Sequence, residues 1–168
     1  MKTWMISKTA KSILSKVIGI GLATSMAFVG ATTTVYAKKI TLHGASQFDE
    51  THSYTRLMRR FEELTKMYYN GPDELEFVMH LNSELGLEKD YVAYMNQGIS
   101  VDYAVASPSH MSTFSQMATL MDPPMLFRDP AHWSKVLTSG VFGPIEEDIY
   151  KRADIKIIGY GGGGIRHL

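Results

Sequence analysis

Seven residues in the middle of the chain, VDYAVAS at 101–107, narrow the choice of folds more than any other stretch. The run is short, small and almost continuously apolar. A strand with water on one face alternates polar and apolar side chains, whereas a strand covered on both faces has no need to. Such a strand belongs inside a parallel sheet with helices above and below it. The neighbouring segments fit that setting. Residues 38–45, 75–80 and 155–160 read as further strands. Between the first two, Tyr54, Leu57, Met58, Phe61, Leu64 and Tyr68 recur at helical spacing, so this stripe is expected to face a core, with Arg59, Arg60 and Glu63 in water. Asp49 or Thr51 is the expected N-cap and Asn70-Gly71 the expected stop. Residues 86–98 predict a second amphipathic helix, ended by Gly98. Ser107-Pro108 is a cap and first-turn pair and predicts a short helix over 108–120, followed by a loop. Two more helices, over 131–140 and 142–153, precede the last strand. This order predicts an α/β domain, a mostly parallel sheet flanked by helices, with right-handed crossovers.

The front of the chain is different in kind. Residues 1–37 hold Lys2, Lys8, Lys11 and Lys16 and no acidic residue. An apolar, small-residue run from Val17 to Gly30 follows, and then Val35-Tyr36-Ala37. A basic start, an apolar middle and a small-x-small end form a cleavable secretory signal, with cleavage expected after Ala37. The run is short for a membrane span and is broken by Thr24 and Ser25. Residues 38–168 then form the working domain, exported to the periplasm.

Without the leader, 13 Lys/Arg face 17 Asp/Glu, so no basic stripe is left for nucleic acid. Cysteine is absent, which excludes disulfides and a thiol nucleophile. The six histidines show no spacing typical of a metal site, and no nucleophile elbow occurs. The glycines at 161–164 follow a strand but open no helix and precede no Lys-Ser/Thr pair, so they are no phosphate cradle. Neither catalysis nor a metal nor a cofactor is expected.

What remains is a set of polar residues where strands end. In open α/β sheets, ligands lie in the crevice beyond the carboxyl ends of the strands. Gln47 follows the first strand, Glu88 opens the second helix, Ser107 ends the third strand and Arg166 follows the last. Taken alone, the first three are equally well caps and turn residues, with Glu88 favoured by the helix dipole, and Arg166 a surface charge.

The ordered motifs Leu85-Gly86-Leu87-Glu88, Gly98, Asp102, Ser107-Pro108, Pro124-Met125-Leu126-Phe127-Arg128 and Gly164-Ile165-Arg166 resemble those of the solute-binding proteins of TRAP transporters, the tripartite ATP-independent periplasmic transporters, of the C4-dicarboxylate-binding type. The resemblance covers 38–168. Gly98 and Asp102 stand one residue further apart than in that pattern, and Pro123 replaces a common leucine. The resemblance implies a two-lobed clamshell of which this chain carries the N-terminal lobe, the second lobe being absent. It implies capture of a small carboxylate by Gln47, Glu88, Ser107 and Arg166 and its transfer to TRAP membrane permease subunits. Arg166 corresponds to an arginine that touches the ligand carboxylate. The alternative expectation is a truncated fragment of such a protein that binds nothing.

Overall fold

The computed structural model describes residues 2–6 and 37–162. The apolar run Val17–Gly30 and the Gly164-Ile165-Arg166 end lie outside the described residues. The elements in chain order are β1 (Lys2–Ile6), β2 (Lys39–Ala45), α1 (Ser53–Tyr68), β3 (Glu74–His80), α2 (Glu88–Gln97), β4 (Tyr103–Ala106), two 3₁₀ turns (Pro108–Met111 and Gln116–Met121), α3 (Pro130–Thr138), α4 (Gly143–Ala153) and β5 (Lys156–Gly161). The strands form one sheet in the order β3-β2-β4-β1-β5. β2 runs parallel to β3 and to β4. β1 alone runs the other way, antiparallel to both β4 and β5. The expected mostly parallel α/β sheet is therefore present, with one reversed strand drawn from the segment read as a leader.

β4 is buried along its whole length, as its composition requires, and it divides the core by alternation. Tyr103 and Val105 point to α1, where they join Leu42, Tyr54 and Met58. Ala104 and Ala106 point to the other face, against Tyr91, Val92 and Met95 of α2 and Ile145 and Ile149 of α4. Burying each of the larger side chains contributes roughly 1.5–3 kcal/mol before entropy is charged. Gly44 in β2 is required on the α1 side, because a Cβ there would lie 2.3 Å from Cζ of Tyr103.

The helices follow the sequence with three corrections. The N-cap of α1 is His52, whose ring accepts the amide of Tyr54 at 3.2 Å. Asp49 closes the turn before it, accepting the amides of Thr51 and His52. The buried stripe of α1 is Tyr54, Thr55, Met58 and Glu62, so it is turned relative to the expected one; Leu57 and Tyr68 stay exposed. Tyr68 is the last residue of the helix, and Leu57 lies beside Gly161, the last residue of β5. Third, the single helix expected over 108–120 is two 3₁₀ turns. Its serines bond elsewhere than along a helix: the Ser115 hydroxyl, fully buried, donates to Asp148 at 2.5 Å, the competition that makes such residues poor helix interiors. α2 ends as expected at Gly98, in the left-handed conformation with φ 70°.

Candidate functional site

Because β2 and β4 are parallel neighbours paired through Gly44–Tyr103 and Ala45–Ala104, the residues just beyond them emerge side by side. Gln47 leaves β2 and Ser107 leaves β4 at the same edge of the sheet. Crossing from β3, the chain reaches that edge again at the start of α2. The Asp90 carboxylate accepts the Leu87 amide at 2.8 Å and so fixes the first turn, and Glu88 is the first residue of the helix.

The Glu88 side chain is only 2% exposed. Its Oε1 accepts the Gln47 side-chain amide at 2.8 Å and its Oε2 accepts the Ser107 backbone N–H at 2.7 Å. The His110 ring nitrogen Nε2 lies 3.4 Å from the same Oε2. A carboxylate that far from water needs such donors to offset its desolvation, and the helix start favours its charge. Below it, the Tyr91 hydroxyl donates to the Val105 carbonyl at 3.1 Å. Burial first, and the Glu88 carboxylate second, push the Tyr91 phenol well above its ordinary range.

Three of the four residues expected at the site are thus one hydrogen-bonded group, and Arg166 lies outside the described residues. Sequence reasoning missed His110, Ser109 and Asp122. The Ser107 hydroxyl donates to the Asp122 carboxylate and pairs with the Ser109 hydroxyl at 2.9 Å, while Ser109 also reaches Asp122 at 3.4 Å. The Ser107-Pro108 start could have pointed to His110, because a tight turn brings a residue three positions on back to its beginning. Asp122 offered no such signal, since its place depends on the whole excursion from 108 to 121. With both Glu88 oxygens bonded, the oxygens of the group nearest to solvent are those of Ser107, Ser109 and Asp122, which can accept from ligand O–H groups. Among the described residues no set of three or more acidic, histidine or cysteine side chains could hold a metal.

With that geometry in place, comparison with known proteins is informative. Residues 44–168 match the family described as Bacterial extracellular solute-binding protein, family 7. A solute-binding protein of Sulfitobacter sp. (strain NAS-14.1) is 48% identical over 137 residues, which is 82% of this chain and 41% of that protein. The crystal structure of a TRAP periplasmic solute-binding protein from Sulfitobacter sp. NAS-14.1 with bound α-D-taluronate superposes with a TM-score of 0.72 at 48% identity, over 75% of this chain and 40% of that one. A TRAP periplasmic solute-binding protein from Sulfurospirillum deleyianum with bound succinate has a TM-score of 0.58 at 22% identity, over 68% of this chain and 36% of that one, and shares the fold. The chain therefore spans about two-fifths of the length of the relatives it matches.

Proposed function

The chain belongs to the bacterial extracellular solute-binding proteins, family 7, of the TRAP type, and from that premise we propose that it captures a small organic acid outside the cytoplasm for delivery to a membrane permease. The family is a transport component and not a group of enzymes. The observation that carries the reading is the Glu88 group: a buried carboxylate tied to Gln47 and Ser107 at the carboxyl ends of two parallel strands. That is where ligands of open α/β sheets lie. Gln47, Glu88 and Ser107 form the wall of this lobe, and Arg166 takes the ligand carboxylate through two parallel N–H···O bonds. The leader 1–37 directs export to the periplasm, and mass spectrometry of the exported protein should find a mature N-terminus at Lys38.

Within the class of organic acids, we infer a polyhydroxylated sugar acid in preference to a C4-dicarboxylate. Ligand hydroxyl groups donate to Asp122 and the serines, whereas a second ligand carboxylate would face the Asp122 carboxylate with the Glu88 charge behind it, which specificity by repulsion disfavours. The taluronate bound by the 48% identical Sulfitobacter protein supports the same choice. Calorimetric titration of the complete protein with taluronate, galacturonate and succinate is the test. The expected result is a uronate bound at least about tenfold more tightly than succinate, a difference of about 1.4 kcal/mol. A preference for succinate would remove the sugar-acid reading, and failure to bind any carboxylate would remove the proposed function itself.

A further inference from the structure

Residues 81–87 join β3 to α2 and touch the proposed ligand wall at two places. At its end the segment delivers Glu88, the first residue of α2. In its middle it bonds to the backbone on either side of Gln47. The Asn82 N–H donates to the Phe48 carbonyl at 3.1 Å and the Ser83 N–H to the Ser46 carbonyl at 3.3 Å. The Ser46 N–H in turn donates to the His80 carbonyl at 2.9 Å. The 2.8 Å bond between Gln47 and Glu88 therefore depends on this segment keeping its shape.

That shape is not one its sequence favours. Asn82 and Ser83 stand in succession in the left-handed region, with φ 53° and 60°, which asparagine tolerates and serine adopts at a cost. A strained stretch persists only where its surroundings hold it. Here three side chains in a row do so. His80 Nε2 meets His43 Nδ1 at 3.1 Å, the two rings lying nearly parallel at 19°. On the other side of the ring, Glu84 Oε1 lies 3.0 Å from His80 Nδ1. The His80 ring is thus fastened to β2 through His43, and it ties down the residue just past the strained pair.

We propose that His80 and Glu84 are positioning residues for ligand capture, holding residues 81–87 in the strained form that sets Gln47 and Glu88 against each other; this rests on the reading of Gln47 and Glu88 as ligand wall. The array also decides where two protons sit. The Glu84 carboxylate favours a proton on His80 Nδ1, which leaves Nε2 of the neutral ring as an acceptor, so His43 donates from its Nδ1. Glu76 is a second carboxylate close enough to feel His43, but its oxygens are engaged by Lys39 and Thr41, each at 2.9 Å. Asp102 accepts the backbone N–H of His43 and not its ring. Glu84 is therefore the anion that directs the row. Without it, His80 carries its proton on Nε2 and donates to His43, and the segment loses its tie.

The test uses the complete protein at about pH 8, titrated with taluronate and galacturonate. Nitrogen spectra of the imidazoles and amide hydrogen exchange are recorded without ligand. In the parent, His43 and His80 should both carry their proton on Nδ1. Glu84→Ala, at an exposed side chain, should leave the unfolding midpoint nearly unchanged and weaken uronate binding about threefold. It should also speed exchange of the Ser46, Asn82 and Ser83 amides and move the His80 proton to Nε2. His80→Ala, which removes both ring contacts, should weaken binding about tenfold. Glu84→Gln keeps an oxygen at His80 Nδ1 and should bind as the parent does. Ser83→Gly takes a positive φ without strain and should restore binding in the Glu84→Ala background. Parent-like binding by both Glu84→Ala and His80→Ala would overturn the proposal, as would weakened binding that Ser83→Gly fails to restore. So would parent-like exchange in Glu84→Ala, or a parent His80 ring protonated on Nε2. Failure of the parent to bind either uronate would count against the proposed function, while exchange and tautomers, read without ligand, would still decide whether the array holds the segment.

Discussion

Two buried glutamates, on opposite faces of the same sheet, are held in different ways. Glu62 lies on the face of β4 covered by α1, where it accepts the Tyr103 hydroxyl at 2.5 Å and meets Arg59 at 3.3 Å. Arg59 is itself gripped by Glu50, through 2.9 and 3.0 Å bonds, which hold its guanidinium well above the ordinary range, hydrogen bonding to Glu50 being the leading cause. Glu88 lies at the end of β4, held by an amide, a backbone N–H and an imidazole at the start of a helix. In the first case an opposite charge and a phenol are built into the packing. In the second, the partners among the described residues are an amide, a backbone N–H and an imidazole, arranged around one point at the strand ends. The comparison teaches that burial of a carboxylate does not by itself mark a site. What distinguishes Glu88 is that strands, helix start and turn all converge on it where the sheet ends.

The largest expected effect tests the first member of the pair. Glu62→Ala leaves the Tyr103 hydroxyl without its acceptor beneath α1, and removing one partner of a buried pair typically costs about 3–5 kcal/mol. The partial exposure of Arg59 (41%) puts the expected loss near the lower end, about 3 kcal/mol, measured by urea unfolding. Ligand affinity of the complete protein should not change. If stability is unaffected, the contrast between the two glutamates fails at its structural end.

Glu88→Gln tests the other member. It keeps the shape but turns one acceptor into a donor facing the Gln47 amide or the Ser107 N–H. Stability should fall by about 1–2 kcal/mol, as for a buried donor left unsatisfied. Uronate binding by the complete protein should weaken about tenfold or more, equivalent to about 1.4 kcal/mol. An affinity equal to that of the parent would reduce Glu88 to a structural residue like Glu62.

A difference in cost separates two adjacent residues of α1. Met58, fully buried, should cost about 2–5 kcal/mol on truncation to alanine. Leu57, 37% exposed beside Gly161, should cost about 1 kcal/mol on the same change, in proportion to the area it buries. Equal costs would mean that the helix is turned differently from the structure.

The smallest effect is seen at high pH. Burial, followed by the Glu62 carboxylate, raises the Tyr103 phenol, and burial followed by Glu88 raises Tyr91. A folded-state value above the unfolded one means that the folded chain holds the proton more tightly. The stability this contributes is complete below the ordinary tyrosine range near 10 and is lost as pH rises above it. Absorbance titration should show these two phenols ionising only with unfolding. An early-titrating phenol present in the parent and missing from Tyr103→Phe would remove the Glu62 side of the comparison.

Much of this was legible in the chain itself. The composition of 101–107 fixed a strand buried on both faces, and alternating segments around it fixed the α/β order. Gln47, Glu88 and Ser107 could be marked as strand-end residues because where a strand or helix starts and stops is a local matter of periodicity and caps. The turn of α1 was less legible. Its stripe has apolar residues enough for two neighbouring phases, and Glu62 enters the buried one only because Tyr103, 41 residues away, brings it a hydroxyl. The three candidate residues could be named from the sequence, but their meeting on one carboxylate follows from β2 and β4 being parallel neighbours. The placement of Asp122 beside Ser107 and of β1 between β4 and β5 is likewise tertiary. Local sequence sets the dihedral preferences and the faces of each element, whereas pairing across tens of residues depends on which loops close and which buried polar groups find partners. Those energies exist only when the whole sheet is assembled.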